Sequence, residues 1–217
     1  MVRDLVILGT GGQGRECLDI ALAMVEDGAD LNPVGFADDD PTPINKQLVE
    51  KRGLPILGTF DALLASPFKF EVCIGISSGN VRRRIDEQLQ SANITSPVLI
   101  HPASTLGSNV TIGPGSAVWA GARLTTNIKI GRHVQVNQNA TIGHDSLLAD
   151  YATVNPLAAI SGNVTVGAGA TVGAGAVVLQ GLDVGEDVVI GASACVIRSV
   201  PSGLTVIGVP ARVLGGR

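Results

Sequence analysis

The sequence predicts two architectures in one chain. Residues 1–97 read as a small parallel α/β sheet, Rossmann-like in plan, and residues 98–198 as an all-β parallel β-helix of about five coils, closed by residues 199–217. Three observations carry this prediction. Short apolar runs alternate with helix-periodic stretches in the first half. An aliphatic residue recurs every six positions in the second half. The chain holds 28 glycines but only 3% aromatic residues, so its core must be built from stacked Val, Ile, Leu and Ala rather than large rings.

In the first half, Leu5–Leu8 is an apolar run that ends on glycines, and Arg15–Val25 carries Cys17, Ile20, Ala21 and Met24 at helical spacing. Val34–Ala37 is a second strand, followed by the acidic turn Asp38-Asp39-Asp40-Pro41. Val72–Ile76 is a third, followed by a helix from about Asn80 to Ser91. Strands alternating with helices specify a parallel sheet.

From about residue 102 the pattern changes. Sixteen consecutive positions six apart, from Leu106 to Val196, are all Ile, Leu or Val. The position two earlier is small or apolar from Ile112 onward, and half of the sixteen are followed by Gly. Six residues make one short strand and one corner, so three units make a triangular coil of eighteen. The aliphatic residue points inward and stacks on its equivalents, while glycines are expected to allow corners with positive φ. One coil cannot bury its own apolar face, so the stack needs neighbours and capped ends. The period does not reveal the hand of the coil. Pro201 and Pro210 interrupt the pattern, and 199–217 is expected to close the open end.

Composition excludes several function classes. A net charge of −4 leaves no basic footprint for nucleic acid, so negative ligands must be held by backbone N–H groups or single Arg and Lys residues. Cys17, Cys73 and Cys195 are odd in number and far apart, which fits neither a disulfide framework nor a CxxC metal site. The opening MVRDLVILGTGGQG has a charge inside its apolar stretch and does not read as a signal peptide. With no run of 18 apolar residues, no membrane span is expected, and a soluble cytoplasmic protein follows.

Gly9, Gly11 and Gly14 spell GxGxxG between a strand and a helix, where backbone N–H groups and a helix N-terminus hold phosphate. Nothing else supports hydride chemistry on a dinucleotide. His144 follows Gly143 in the middle of the repeats. Histidine titrates near neutral pH and is suited to remove a proton from an attacking amine or hydroxyl. Spacing alone leaves it equally a surface histidine at a corner.

These features together resemble the sialic acid O-acetyltransferase and bacterial nucleotide-aminosugar N-acetyltransferase group of the hexapeptide superfamily. The likeness covers essentially the whole chain: ILGTGGQGRE, GFADDD, IGISSGNVRRRI, IHPAST, the repeats with GHDS, SGNVTVG and IGASACV, and the tail VIGVPAR. The resemblance implies a left-handed β-helix, a homotrimer, and acetyl-CoA bound in the groove between neighbouring helices. It implies that His144 is the general base and that Asp145 raises its basicity. Adjacent strand residues point to opposite faces, so the two can meet only where the chain turns. Thr153 stands where the family often has a second histidine beside the acetyl group. Gly162, one coil beyond His144, resembles the glycine whose N–H meets the thioester carbonyl. Ala174 and Ala192 match places along the CoA arm, although ordinary repeat packing explains small residues there equally well. By the same resemblance, Gly11, Gly12 and Gln13 face the diphosphate of a nucleotide sugar, with Gln13 where the family often has His. Asp38 and Asp39 would accept hydrogen bonds from a uracil ring, with Gly75 beside it, although DDDP is also a good turn without any ligand.

The expected reaction is therefore direct N-acetylation of a UDP-linked 4-amino-4,6-dideoxy sugar by acetyl-CoA, with no metal and no acetyl-cysteine intermediate. O-acetylation of a sialic acid is the alternative. His101, His133 and His144 raise a third reading, a zinc hydratase like the carbonic anhydrases that share this helix fold, which would require ligands converging from separate positions.

Overall fold

The computed structural model describes residues 2–215, so the last two residues of the expected closing segment lie outside it. The chain divides into two compact units, Met1–His101 and Pro102–Arg217.

The first unit is a three-stranded parallel sheet of order β2–β1–β3, formed by β1 (Arg3–Leu8), β2 (Leu31–Ala37) and β3 (Glu71–Ile74). Helix α1 (Gly12–Glu26) buries Cys17, Leu18, Ile20 and Ala21. Helices α3 (Phe60–Leu64) and α4 (Gly79–Ser91) supply Phe60, Leu63, Ile85 and Leu89 to a core with Val6, Leu8, Val72 and Ile74. Two helices were not expected: α2 (Pro43–Glu50), whose first turn is capped by the Thr42 hydroxyl accepting from Asn45 N–H, and the short α3, capped the same way by Thr59. β3 stops at Ile74 rather than Ile76 because Gly75 packs on the first turn of α1, where a Cβ would strike Gly14. A Cβ on Gly14 would in turn collide with the Gly9 carbonyl oxygen. Gly14→Ala is therefore expected to lower stability by about 1–3 kcal/mol, seen as a lower thermal midpoint. An unchanged midpoint would show that α1 is not seated on this glycine.

The second unit is a parallel β-solenoid of about six turns, consistent with a left-handed β-helix. Two-residue strands pair in register with strands eighteen residues away, as in Gln135↔Thr153, Thr141↔Ala159 and Leu147↔Thr165. The aliphatic positions point inward: Leu124, Val136, Ile142, Leu148, Val154 and Ile160 are all buried. Leu106, in the first coil, remains exposed, as expected where a coil has only one neighbour. The coil count exceeds the expected five because part of the tail continues the stack. Thr205–Ile207 pairs in parallel with Val189–Ile190, and Arg212–Val213 folds back antiparallel upon it.

The corners differ from expectation in one respect. The glycines that follow inward residues do not supply the positive φ. Gly143 and Gly173 are there for close approach, since a Cβ on either would come within 2.5 Å of a backbone nitrogen in the next coil. Positive φ falls three residues after the inward position, as at Asn109 (56°), Asn127 (55°), Asp145 (60°), Asn163 (54°) and Gly181 (71°). Asn, Asp and Gly are the residues that tolerate this region best.

Candidate active site

The α/β unit contributes a cavity of about 600 Å3 at the carboxyl ends of its strands, the usual ligand position in open α/β sheets. Gly11, Gly12, Gln13, Asp38, Asp39 and Gly75, the six residues expected there, all line it. Gly11 begins α1 without a side-chain cap, so first-turn N–H groups remain available to an anion. A Cβ on Gly11 or Gly12 would meet nothing within 4 Å, so their smallness widens the mouth rather than relieving a clash. The Gln13 Nε2 donor is buried without a partner among the described residues, as a group waiting for a ligand acceptor would be.

The acidic turn is more tightly bound into the fold than expected. Asp38 Oδ2 accepts from the N–H (2.7 Å) and hydroxyl (2.5 Å) of Thr10, and Oδ1 accepts from Asp40 N–H at 3.1 Å. Partial burial pushes the Asp38 carboxyl up, but these hydrogen bonds together outweigh it and hold the group below its ordinary value. Asp39 Oδ1 accepts from Phe60 N–H at 2.7 Å. Both carboxylates thus brace the loops around the cavity they line.

Sequence reasoning missed three further contributors. Arg84 and Asn45 line the cavity; the Asn45 Oδ1 accepts from Arg15 at 2.9 Å, leaving its amide nitrogen as a donor. Arg82 is buried and donates to the Ile76 and Ser77 carbonyls at 3.1 and 2.6 Å. Burial lowers its pKa to about 10, so it stays charged at neutral pH while it pins the loop after β3. Arg82 and Arg84 belong to the segment IGISSGNVRRRI, whose resemblance implied no role for either, and α2 was not expected.

The β-helix carries the second group. His144 sits at a corner, with Nδ1 at 2.7 Å from Asp145 Oδ2. The chain does turn here, because Asp145 has φ of 60°, and that turn brings two adjacent side chains together. Hydrogen bonds from His144 and Asn127 hold the Asp145 carboxyl below its ordinary value. An ionised carboxylate only accepts, so Nδ1 carries a proton, and in the neutral imidazole Nε2 presents its lone pair. The imidazole leans over Gly162: a Cβ there would lie 2.5 Å from Nε2. His144, Asp145 and Gly162 are therefore brought together.

The remaining expected residues lie elsewhere in the coil. Thr153 is buried in the ladder between Gln135 and Thr171. Ala174 and Ala192 stack on a different corner from His144, both exposed. His133 is buried with its ring stacked on Tyr151, centroids 6.1 Å apart. Among the described residues, no three His, Cys, Asp or Glu side chains gather as metal ligands would. Hydrogen bonding to Cys73 and burial push the Cys17 thiol well above its ordinary value, the opposite of an activated nucleophile. Among the described residues, no helix is long and apolar enough to cross a membrane.

Residues 4–89 match the family described as the PglD N-terminal domain. Several solved structures are similar over nearly the whole chain. The acetyltransferase domain of PglB from Neisseria gonorrhoeae, in complex with acetyl coenzyme A, is 32% identical with a TM-score of 0.84, covering 99% of this chain and 100% of that one. A histidine-to-asparagine mutant of perosamine N-acetyltransferase from Caulobacter crescentus, in complex with CoA and GDP-perosamine, is 27% identical with a TM-score of 0.87, covering 100% and 99%. WeeI from Acinetobacter baumannii is 28% identical with a TM-score of 0.84, covering 98% and 100%. A comparison with curated proteins finds no match.

Proposed function

Because the chain belongs to the hexapeptide-repeat, left-handed β-helix family of acetyl-CoA-dependent sugar N-acetyltransferases, we propose that it acetylates the amine of a UDP-linked 4-amino-4,6-dideoxy sugar. The observation that carries this reading is the His144–Asp145 pair, whose 2.7 Å contact sets the imidazole with Nε2 free above Gly162.

In the proposed reaction the acceptor amine attacks the thioester carbonyl while Nε2 takes its proton. The carbon–sulfur bond then breaks, and the imidazolium returns the proton to the departing CoA thiolate. Gly162 N–H stabilises the developing oxyanion and Asp145 steadies the imidazolium; the buried Thr153 is given no contact with the acetyl group. Ala174 and Ala192 let the pantetheine arm lie against the backbone. They occupy a different corner from His144, which supports a homotrimer in which one chain supplies the base and its neighbour part of the CoA groove. The free first turn of α1 and the orphaned Gln13 donor support a diphosphate held by Gly11, Gly12 and Gln13. Asp38 and Asp39, beside Gly75, accept from the base. Nucleotide sugars and acetyl-CoA as the proposed substrates support a reaction in the cytoplasm.

A GDP-linked amino sugar is the second reading, favoured by the similarity to perosamine N-acetyltransferase. Acetyl-CoA consumption with UDP- and GDP-linked 4-amino sugars and free sialic acid tests both. Turnover with the UDP-linked sugar, giving an amide product, is expected. Turnover with the GDP-linked sugar alone selects the second reading, and acetylation of sialic acid alone overturns both.

A further inference from the structure

We infer that Asn127 is a positioning residue for the transfer, acting through Asp145 on the base; this rests on the proposed role of His144. The observation is a column of side chains at one corner of the β-helix. Asn109 Nδ2 donates to Asn127 Oδ1 at 3.1 Å, Asn127 Nδ2 donates to Asp145 Oδ1 at 3.0 Å, and Asp145 Oδ2 meets His144 Nδ1 at 2.7 Å. The residues of the column are eighteen apart, and all have φ between 55° and 60°.

Chemistry fixes the direction of this chain. A carboxylate has no proton to give, so the amide nitrogen of Asn127 must face Asp145, and its oxygen is then free to accept from Asn109. Each Asp145 oxygen thus has one partner of its own, and the carboxylate cannot rotate about its bond to Cβ without losing one of them. Its backbone is held too: Asp145 N–H donates to the Thr126 carbonyl at 3.0 Å, and Asn163 N–H donates to the His144 carbonyl at 2.7 Å. The side chains of His144 and Asp145 are 63% and 50% exposed, so solvent competes for the carboxylate and packing does little to orient it. The amide of Asn127 supplies the restraint that burial supplies elsewhere.

Two variants keep the corner geometry. Asn127→Gly suits positive φ, as Gly181 does one coil beyond Asn163 in the same column, and deletes the donor. Asn127→Asp keeps the shape and turns the donor into a second carboxylate. With acetyl-CoA and the UDP-linked 4-amino-4,6-dideoxy sugar, N127G is expected to lower kcat about tenfold with KM for both substrates unchanged. Titration of the His144 imidazole by NMR needs no acceptor. There N127G is expected to move the midpoint downward by roughly half a pH unit, because a carboxylate free to rotate holds the imidazolium less firmly, whereas the charge added in N127D moves it upward with or without Asp145. Both N127G effects should vanish in an Asp145→Asn background, since the relay is already cut. A merely structural Asn127 would lower thermal stability, leave the N127G midpoint in place, and cost the same kcat with or without Asp145. That result overturns the inference. Full turnover by His144→Asn would instead remove the proposed base, an outcome read separately from the NMR shift.

Discussion

Replacing His144 with asparagine is expected to lower kcat by between ~10²- and ~10⁴-fold, the range a positioned general base contributes. Asparagine is similar in size to the imidazole, and the site is exposed, so the fold should survive with an unchanged thermal midpoint. KM for acetyl-CoA should change little, because Nε2 is asked to act on the acceptor proton rather than to hold CoA. The measurement is steady-state turnover with acetyl-CoA and the best acceptor. A loss confined to KM would mean that His144 binds substrate and another group takes the proton.

Gly162→Ala is expected to have the second largest effect. The added methyl would lie 2.5 Å from Nε2 and 2.6 Å from Cε1 of His144, well inside contact distance. The ring is exposed and the backbone beneath it is not free to move, so the imidazole must swing aside. A displacement near 1 Å at a reacting group costs about 10²-fold in rate, and that is the expected fall in kcat. Alanine keeps its own N–H, so the oxyanion donor survives and the loss reports on the imidazole alone. Combined with H144N the substitution should add almost nothing, because both act on one group. If G162A lowered the rate of H144N by a further hundredfold, the glycine would be needed for something other than ring placement.

Much of the fold was legible because six-residue periodicity is forced by coil geometry. An inward residue must be aliphatic wherever a neighbour stacks on it, and the run from Leu106 to Val196 records that constraint. The sixth turn was not legible. Val206 pairs with Ile190 at a spacing of sixteen rather than eighteen, so two residues missing from the repeat broke the period at the point where the stack still continued. In the α/β unit, Thr42-Pro43 and Thr59 were helix-start signals, but α2 and α3 are too short to show much periodicity.

The chemistry was legible in residue types and hidden in their contacts. Strand alternation argued that His144 and Asp145 face apart, and the positive φ at Asp145 reverses that conclusion. The signal was present in the column Asn109, Asn127, Asp145, Asn163, four residues that favour the left-handed region at the spacing of one coil. Asn127 was passed over because its role depends on a partner eighteen residues away. The acidic turn was legible in part: the sequence allowed Asp38 and Asp39 as ligand acceptors or as a plain turn, and each accepts a backbone N–H while lining the cavity.

The pH dependence of kcat/KM in the wild type and in H144N tests the central claim most directly. If the neutral imidazole of His144 accepts the proton, wild-type kcat/KM falls tenfold per pH unit on the acid side, and the residual activity of H144N is flat across that range. The same acid limb in both proteins would contradict it.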